Sequence, residues 1–391
     1  MHVVVIFDNI GGYHAARLRA TYDACQRRDW QFTAVQVTDT TKEHPWGDMG
    51  REITFPLKTL LSTSATALNS TNSSIPATSL LFDCLNTLQP TVVAIPGWGF
   101  PISRAALVWC KRHAALSILM SESKWDDARR TFWKEMIKSW LYVKRYDAAL
   151  VGGNLHRDYL VQLGFRPDRI FLGYDVVDND YFSQQAEKAR RDPNTTRLRQ
   201  PQIPNKPYYL AATRFIKRKN IHRLIESFVA YREQVEEAHA WDLVICGTGV
   251  EEPYIRSLIL NKGLNYCIHL PGFISYQDLG DWYGLAEAFI HPALQEQWGL
   301  VVNEACAAGL PVLCSRTVGA CHELIHNNHN GFLFDPENVE DMIGKLVNIH
   351  RLSSLLRAQM GKVSQEIITN YSPSNFANGL VRAAESAMSA A

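Results

Sequence analysis

Residues 288–314 read Ala-Phe-Ile-His-Pro-Ala-Leu-Gln-Glu-Gln-Trp-Gly-Leu-Val-Val-Asn-Glu-Ala-Cys-Ala-Ala-Gly-Leu-Pro-Val-Leu-Cys. The apolar run 288–291 predicts a buried strand, and the run 311–314 predicts a second one. Between them, a loop that contains Glu296 leads into a helix that starts near Gly299. Strand, helix and strand in this order predict a βαβ unit, in which the two strands lie parallel in one sheet.

Short β-rich runs alternate with longer helical patterns through most of the chain. In the first half, the runs that predict strands are 3–7, 31–37, 91–95, 115–120 and 148–151. In the second half they are 208–212, 242–246, 267–270, 288–291 and 311–314. This alternation predicts an α/β fold with two doubly wound parallel sheets.

The length of 391 residues is too great for one ordinary hydrophobic core and suits two domains. Residues 183–206 are polar, charged and contain prolines, so we predict an interdomain linker there. Residues 1–182 then form an N-terminal domain, and residues 207–373 form a C-terminal domain. We expect the last helix, 374–391, to pack back on the N-terminal domain. A long irregular segment, about 38–76, is predicted inside the first domain.

The composition is that of an ordinary globular protein, with 46% hydrophobic and 20% charged residues and a formal net charge of +1. Nucleic-acid binding usually needs a concentrated basic face, so no nucleic-acid partner is expected. No apolar stretch approaches the roughly 20 residues of a spanning helix, and the N-terminal run has no signal-peptide pattern. The eight cysteines include no Cys-x-x-Cys pair, which favours reduced core thiols in a cytoplasmic protein.

The two glutamates of the opening segment, Glu296 and Glu304, are separated by seven residues. A helix N-terminus presents free N–H groups, so Gly299 and Leu300 are well placed to hold a phosphate. Glu304 lies about one turn into the helix, where a carboxylate can accept hydrogen bonds from two vicinal hydroxyls. The alternative is a pair of solvated helix glutamates.

Positive charge follows the first strand of the second domain, where the sequence reads Thr213-Arg-Phe-Ile-Lys-Arg-Lys-Asn220. A departing diphosphate gains negative charge as its bond to a sugar breaks. Arg214 and Lys219 aimed at it would therefore stabilise the transition state more than the ground state. We expect both to be surface residues of a cleft, and the alternative is a basic surface turn.

The segment from Glu296 to Glu304, with the small-residue helix and the Gly-Leu-Pro-Val strand entry that follow it, closely resembles the E-x7-E signature of the family-4 retaining glycosyltransferases. The resemblance is strong over about 207–335. It implies a GT-B fold, in which two Rossmann-like domains face each other across a cleft. It also implies that Glu296 contacts the transferred sugar and that Glu304 binds the ribose of the nucleotide.

Further segments are similar to elements of the same family. Arg214 and Lys219 match its Gly-Arg-x4-Lys-Gly element, with Thr213 and Asn220 in place of the flanking glycines. The glycine-rich loop after the first strand resembles the loop with which GT-B enzymes reach the sugar diphosphate, although a tight turn explains the paired glycines equally well. The donor-binding residues implied are Gly11, Gly12, Gly247, Phe273, Ile274, Trp298, Gly299, Leu300 and Glu304.

The acceptor side is less well defined by the sequence. His14, Trp98 and Ser121 are candidates for the acceptor pocket, although His14 could instead cap or pack on the first helix. Family-4 enzymes commonly carry a histidine after the fourth N-terminal strand, where this chain has Glu122. Glu122 could contact the sugar or accept the proton of the acceptor, and a solvated loop glutamate is the alternative. The predicted catalytic residues are Arg214, Lys219, Glu296 and Glu122.

Two further expectations concern metals and membranes. Asp178-x-Asp180 has the form of a metal-binding motif, but its place beside the predicted linker argues against one. We therefore expect no metal and no cofactor, the nucleotide sugar being a substrate. Residues 128–146 mix aromatic and basic residues at helical spacing, so they could contact an anionic acceptor or, peripherally, the inner face of a membrane. The alternative, which we favour, is a helix packed by its aromatics with its lysines in water.

The function predicted from the sequence is transfer of a sugar, with retention, from a nucleoside diphosphate sugar to an acceptor. The family favours a UDP-sugar donor and a hexosyltransferase, and the acceptor is a sugar, a lipid-linked molecule or a small molecule. The enzymatic alternatives are a GT-B phosphorylase and a nucleotide-sugar epimerase. A two-domain solute-binding protein is the alternative without catalysis.

Overall fold

A computed structural model describes residues 1–39, 52–62 and 76–389 of the chain. The chain forms two compact units. Unit 1 consists of Met1–Asp178 and Tyr371–Ala391, and unit 2 is the continuous segment Asn179–Asn370. Within the described ranges, no helix is long and apolar enough to cross a membrane.

Unit 1 contains a parallel sheet of seven described strands. The strands are β1 (His2–Phe7), β2 (Gln31–Thr38), β3 (Leu57–Leu61), β4 (Val92–Pro96), β5 (Leu116–Ser121), β6 (Ala148–Val151) and β7 (Ile170–Leu172). Their order is β3-β2-β1-β4-β5-β6-β7. Central strands such as β1 are continuous apolar runs because helices cover both faces of a parallel sheet.

The helices of unit 1 cover the two faces of this sheet. The first five are α1 (Gly12–Gln26), α2 (Ala77–Leu88), α3 (Pro101–His113), α4 (Phe132–Leu141) and α5 (Asn154–Gln162). Alternate residues of β1 enter different cores, with Val3 and Val5 on one face and Val4 and Ile6 on the other. Burying such a side chain contributes roughly 1.5–3 kcal/mol.

Unit 2 contains a second parallel sheet, of six described strands. They are β8 (Tyr208–Ala212), β9 (Asp242–Cys246), β10 (Ile268–Gly272), β11 (Ala288–His291), β12 (Val312–Ser315) and β13 (Gly331–Phe334). Their order is β10-β9-β8-β11-β12-β13, which is the Rossmann-like order 3-2-1-4-5-6. The two doubly wound sheets confirm the α/β prediction.

The helices of unit 2 are α6 (Asn179–Arg191), α7 (Pro193–Arg199), α8 (Ile221–Glu233), α9 (Glu252–Asn261), α10 (Tyr276–Leu285), α11 (Leu300–Ala307), α12 (Cys321–Leu324), α13 (Val339–Arg351) and α14 (Ser354–Ile368). The chain then returns to unit 1 with α15 (Pro373–Met388), which packs against α1. Phe376 and Leu380 of α15 lie in the same core as Val3 and Val5.

The structure corrects the predicted linker at 183–206. Most of this stretch forms α6 and α7, and α6 packs against α10 inside unit 2. The buried residues of α6 are Phe182, Ala186 and Ala189, which form one narrow helical stripe. The remaining positions are exposed or partly exposed and, apart from Tyr181, are polar or charged, so the composition of α6 resembles that of a linker although the helix is packed.

Three strands were not predicted from the sequence: β3, β7 and β13. Each lies at the edge of its sheet. The strands β7 and β13 are apolar runs of only three and four residues, and the sequence Leu-Lys-Thr-Leu-Leu of β3 contains polar residues and is partly exposed. β3 lies inside the segment 38–76 that was predicted to be irregular, and much of the rest of that segment lies outside the described residues.

Each sheet has a point at which the strand order reverses. In unit 1 the reversal lies between β1 and β4, and in unit 2 it lies between β8 and β11. Ligands of open parallel sheets bind outside the carboxyl ends of the strands at such points. The loops that follow β1 and β4 in unit 1, and β8 and β11 in unit 2, are therefore where a site is expected.

Candidate functional site

The loop after β8 carries Arg214 and Lys219 at the reversal point of unit 2. Arg214 is exposed, whereas Lys219 is buried. The expectation that both are surface residues is therefore wrong for Lys219. Asn220 ends this loop in the left-handed conformation with φ 59°, which asparagine tolerates better than most residues. Asn220 thus takes the conformation that the glycine of the family pattern would supply.

The side chain of Asn220 also fixes the loop. Its Nδ2 donates to the carbonyl of Pro292 at 3.1 Å and to that of Pro336 at 2.8 Å. The backbone N–H of Leu294 donates to the carbonyl of Arg218 at 2.8 Å. These bonds join the loop after β8 to the loop after β11.

Lys219 donates from Nζ to Oε2 of Glu296, which lies in the loop after β11. The side chains of Lys219 and Glu296 are only 10% and 14% exposed. His291, the last residue of β11, places its Nε2 3.6 Å from the same carboxylate oxygen and is itself buried. Three ionisable groups, from the loop after β8, the end of β11 and the loop after β11, therefore meet at one point of unit 2.

Burial dominates the electrostatics of this cluster. It lowers the pKa of Lys219 to about 7, assisted by the positive charges of Arg218 and Arg214, while the carboxylate of Glu296 favours the ammonium form. Burial also lowers the pKa of His291 well below its usual value, and the charge of Lys219 adds to this effect. His291 is therefore neutral at physiological pH. Because the pKa of Lys219 is about 7, its ammonium and neutral forms are both populated near neutral pH, and only the ammonium form pairs with the charge of Glu296.

The N-terminus of α11 lies against this cluster. Gly299 precedes the helix with φ 101°, a conformation that favours glycine. A Cβ at Gly299 would lie 3.1 Å from Cγ1 of Val318 and 3.3 Å from Cγ of Glu296, so a larger residue would also be crowded. Gly299 and Leu300 are partly exposed, which leaves the free N–H groups of the first turn open to a phosphate.

Glu304 lies inside α11 and is fully buried. The hydroxyl of Tyr283 donates to its Oε2 at 2.6 Å. A carboxylate held in this way is preorganised, but ribose hydroxyls can bond to it only if the surrounding side chains make room. Its role in binding ribose stays a prediction.

Trp298 was predicted among the donor-binding residues, but the structure places it in the core. It is buried, and its Nε1 donates to Oδ1 of Asn303 at 2.8 Å. The indole therefore anchors the loop to α11 and presents no free surface to a ligand. The local sequence, a tryptophan beside a glycine in a loop, does not predict that Trp298 is buried.

The remaining predicted donor residues of unit 2 follow β9 and β10. Gly247 has φ 135°, and a Cβ there would collide with the carbonyl of Thr213, so only glycine fits beside the first loop. The side chain of Phe273 is exposed and Ile274 is partly exposed. Both are free to contact a ligand, and their contact with the base stays a prediction.

In unit 1, Gly11, Gly12 and His14 follow β1 as predicted. Gly11 has an extended backbone with φ −106°, so the paired glycines do not supply a positive φ. The N–H of Gly11 donates to Nδ1 of His14 at 3.2 Å, and the His14 ring packs against Phe7 with a centroid distance of 4.4 Å. The alternative interpretation, that His14 caps and packs on the first helix, describes this geometry. His14 stays partly exposed at the end of the strand.

The other candidates of unit 1 lie near the ends of β4 and β5. Ser121 is buried at the end of β5, and its Oγ accepts a hydrogen bond from the N–H of Ser123 at 3.2 Å. Glu122 is partly exposed and lies close to Asp175, which is buried. Burial and the charge of Glu122 raise the pKa of Asp175 well above its usual value, although Arg17 opposes this.

Trp98 follows β4 and lies beside α5. Its ring centroid is 6.5 Å from that of Tyr159, and Nζ of Lys138 lies 5.6 Å from the Trp98 ring. Lys138 belongs to α4, the helix at the centre of 128–146. The aromatic side chains of α4 are largely exposed, so the favoured expectation that they pack the helix is wrong.

The first aspartate of the Asp-x-Asp sequence pairs with an arginine. Asp178 accepts a hydrogen bond from Nη2 of Arg19 at 2.9 Å. Among residues 1–39, 52–62 and 76–389, no cluster of three or more histidine, cysteine or acidic side chains could hold a metal ion.

Three residues of these clusters were not predicted from the sequence: His291, Tyr283 and Asp175. His291 precedes Pro292 at the carboxyl end of a central strand, and that position was a usable signal. Tyr283 and Asp175 gave none. Tyr283 lies 21 residues from Glu304, and Asp175 lies 53 residues from Glu122, so only the fold brings each pair together.

Comparisons with known proteins agree with the geometry of unit 2. Residues 194–366 match the family described as Glycosyl transferases group 1. An uncharacterized glycosyltransferase of Methanocaldococcus jannaschii is 30% identical over 128 residues, which are 33% of this chain and 33% of that protein. Alignments with the first curated relatives span about a third of those proteins' own length.

Solved structures resemble the whole chain. A glycosyltransferase from Rickettsia africae has a TM-score of 0.76 at 15% identity, and the match covers 100% of this chain and 99% of that one. Anabaena HepE in complex with UDP and glucose has a TM-score of 0.71 at 15% identity, and the match covers 97% of this chain and 98% of that one. The likeness confirms the GT-B fold class, with two Rossmann-like parallel-sheet domains.

Proposed function

We propose that this chain, which matches the group 1 glycosyl transferases over residues 194–366, is a retaining glycosyltransferase that uses a UDP-sugar. The observation that carries the proposal is the cluster of Lys219, Glu296 and the N-terminus of α11 at the reversal point of unit 2. It joins a cation, a carboxylate and free N–H groups, which suit a diphosphate and a sugar hydroxyl.

The bond between C1 of the sugar and the diphosphate oxygen breaks in the proposed reaction, and its electron pair leaves with the diphosphate. Arg214, Lys219 and the first turn of α11 stabilise the negative charge that develops there. The oxygen of an acceptor hydroxyl forms the new bond to C1, on the face from which the diphosphate departs. Its proton goes to a base, for which we propose Glu122.

Glu296 is proposed to hold the transferred sugar. Its carboxylate is fixed by Lys219, and Oε2 is close to Nε2 of His291. A neutral His291 has no charge with which to draw the carboxylate away from Lys219. Glu296 therefore keeps one oriented oxygen toward Lys219 and a second that can accept hydrogen bonds from sugar hydroxyls.

UDP is proposed as the nucleotide because Anabaena HepE, which shares the fold, was solved with UDP and glucose. Glu304 is proposed to bind the ribose, and the exposed Phe273 with Ile274 to contact the base. The cations and helix terminus can hold a diphosphate without a metal ion, so we propose a reaction that needs neither metal nor cofactor.

The acceptor is proposed to bind to unit 1, at the loops that follow β1, β4 and β5. His14, Trp98 and Ser121 are the candidate contacts, and a sugar, a lipid-linked molecule or a small molecule remains the acceptor class. A reducing, cytoplasmic location is proposed from the cysteines, because all eight are free thiols.

A thermal-shift screen with UDP, GDP, ADP and CDP tests the donor assignment. A nucleotide that binds only the folded state raises the melting temperature by mass action. UDP is expected to raise it and the others much less. Incubation with UDP-glucose should then release UDP, faster with a suitable acceptor. Conversion of the donor to another nucleotide sugar would indicate an epimerase, and no stabilisation by any of the four would contradict the proposal.

A further inference from the structure

Helix α4 of unit 1 turns its apolar side to solvent. Trp133, Met136, Ile137 and Trp140 lie at positions i, i+3, i+4 and i+7, which share one side of a helix. Trp133 is 68% exposed and Trp140 is 75% exposed. The apolar face of α4 is defined here as Phe132, Trp133, Met136, Ile137, Trp140 and Leu141, all of which are exposed.

The opposite side of α4 is polar and packs on the protein. Nζ of Lys138 donates to Glu135 at 2.8 Å and to the hydroxyl of Tyr159 at 2.7 Å. The Tyr159 hydroxyl donates in turn to Glu135, and Ser139 donates to the carbonyl of Leu163. Although burial opposes it, the hydrogen bonds from Lys138 and Tyr159 lower the pKa of Glu135. This network therefore anchors α4 to α5 through charged and hydroxyl groups.

This arrangement is the reverse of an ordinary surface helix, in which the apolar side packs on the core. Single exposed apolar residues need no explanation, but six on one helix form a continuous patch, and such patches mark interaction surfaces. The polar network holds the apolar face outward, because rotation of α4 would break the bonds of Glu135 and Lys138 and bury their charges unpaired.

Positive charge flanks the apolar face. Arg129, Lys134, Lys144 and Arg145 are exposed, and none of them forms an ion pair with any residue that the structure describes. Glu135 is the only acidic residue between positions 128 and 146. Its carboxylate points inward, where Lys138 and Arg130 neutralise it. The exposed surface of this segment is thus apolar and cationic.

We infer that the apolar face of α4 inserts into the interface of an anionic lipid membrane while the flanking cations bind lipid headgroups. Tryptophan suits this position because its ring is apolar and its N–H can bond at the headgroup level. Basic residues near an anionic surface add an electrostatic attraction that falls off within a Debye length. The helix lies in the plane of the interface and does not span the bilayer.

The charge pattern selects this occupant over a second copy of the chain. Two copies joined through their apolar faces would bring their own exposed cations together, with no exposed acid in 128–146 to pair them. An anionic bilayer complements both the apolar side chains and the cations. The inference goes beyond the proposed glycosyl transfer and does not rest on it.

Sedimentation with lipid vesicles tests the inference on the full chain. The probes are vesicles of phosphatidylcholine alone and of an equimolar mixture with phosphatidylglycerol. The test variant is Trp133→Ser/Trp140→Ser, which removes exposed side chains only. The matched control is Leu260→Ser/Leu355→Ser, because both leucines are exposed in unit 2. A charge variant, Lys134→Glu/Lys144→Glu, tests the cationic part.

The unmodified chain and the leucine control are expected to sediment with the anionic vesicles, and more weakly with phosphatidylcholine alone. The partition coefficient of the tryptophan variant onto anionic vesicles should be about tenfold or more lower than that of the unmodified chain. Added salt should weaken the binding of the unmodified chain to the same vesicles. The charge variant should approach the binding to phosphatidylcholine alone. Melting temperatures and UDP calorimetry on the same samples separate this result from folding and from the proposed donor site.

Failure of the unmodified chain to sediment with anionic vesicles would overturn the inference. Equal partitioning of the tryptophan variant and the leucine control would also do so. Analytical ultracentrifugation shows whether the chain forms a dimer through the same face. A dimer that the tryptophan variant abolishes would show that the apolar face joins two copies and does not bind lipid.

Discussion

The ammonium of Lys219 donates to the carboxylate of Glu296 across a separation of 77 residues in the chain. The two side chains come from the loops after β8 and β11, the strands between which the order of the second sheet reverses. Because both are nearly buried, each stabilises the charge of the other.

Replacement of the two cations should separate catalysis from folding. Arg214→Ala is expected to raise the barrier to transfer by about 2–4 kcal/mol and so to lower turnover. The melting temperature should not change, because Arg214 is exposed. Lys219→Ala should lower both the turnover and the melting temperature, because it leaves Glu296 without its partner in a buried site. Lys217→Ala is the matched control, because Lys217 is exposed in the same loop. Turnover of Arg214→Ala close to that of this control would remove Arg214 from the site.

Acid should destabilise the chain through His291. Burial lowers the pKa of His291 in the folded state, whereas an unfolded histidine titrates near 6.5. Below this pH the unfolded state binds more protons, so the free energy of unfolding falls as pH falls, by at most about 1.4 kcal/mol per pH unit. His291→Gln should show a shallower decline in melting temperature between neutral pH and mild acid.

The control for this titration is His239→Gln. His239 is an exposed residue that contacts Glu236 on the surface of unit 2. Its replacement should leave the decline below pH 6.5 as steep as in the unmodified chain. Equal slopes for the two variants would show that His291 does not stay neutral in the folded protein.

Chelation should leave transfer intact. The proposed site holds the diphosphate with Arg214, Lys219 and the N-terminus of α11, so EDTA removes nothing that the reaction needs. The measurement is UDP release from UDP-glucose with and without EDTA. Loss of activity that Mn²⁺ or Mg²⁺ restores would contradict the metal-independent proposal.

How far the sequence predicts this molecule depends on the kind of signal each element carries. β8 and β11 are buried on both faces, so their apolar runs identify them within a residue of their bounds. The edge strand β13, which is only four residues long, was not predicted, and the helix α6, which buries one narrow stripe, was predicted as part of a linker. The hydrophobic periodicity of a segment indicates which of its residues are buried. It does not indicate which other element packs against them.

Some residues of the candidate site can also be predicted from the sequence, and others cannot. Arg214, Lys219 and Glu296 follow strand ends, so topology alone brings their loops together. Trp298 was assigned to the donor and is in the core, because a single aromatic residue in a loop does not reveal which way it faces. The side of α4 that faces water was likewise predicted the wrong way round. Its charged residues pair with Tyr159, a partner from another helix that the spacing of α4 does not contain.

The central claim is that unit 2 binds a nucleoside diphosphate sugar through two glutamates with different roles. Calorimetric titration of UDP into the unmodified chain, Glu304→Ala and Glu296→Ala tests it most directly. Tyr283→Phe is the control for Glu304, because it keeps the carboxylate and removes the hydroxyl that donates to it at 2.6 Å and to the carbonyl of Val301 at 3.4 Å. It should weaken the binding of UDP by about 1 kcal/mol or less.

Glu304→Ala is expected to lower the affinity for UDP strongly, because UDP carries the ribose that Glu304 is proposed to bind. Glu296→Ala should leave the affinity for UDP nearly unchanged while it lowers turnover of the UDP-sugar, because its contact is with the transferred sugar. Equal losses of UDP affinity in both variants would mean that the pair clamps the nucleotide alone. An affinity for UDP that neither variant changes would contradict the account.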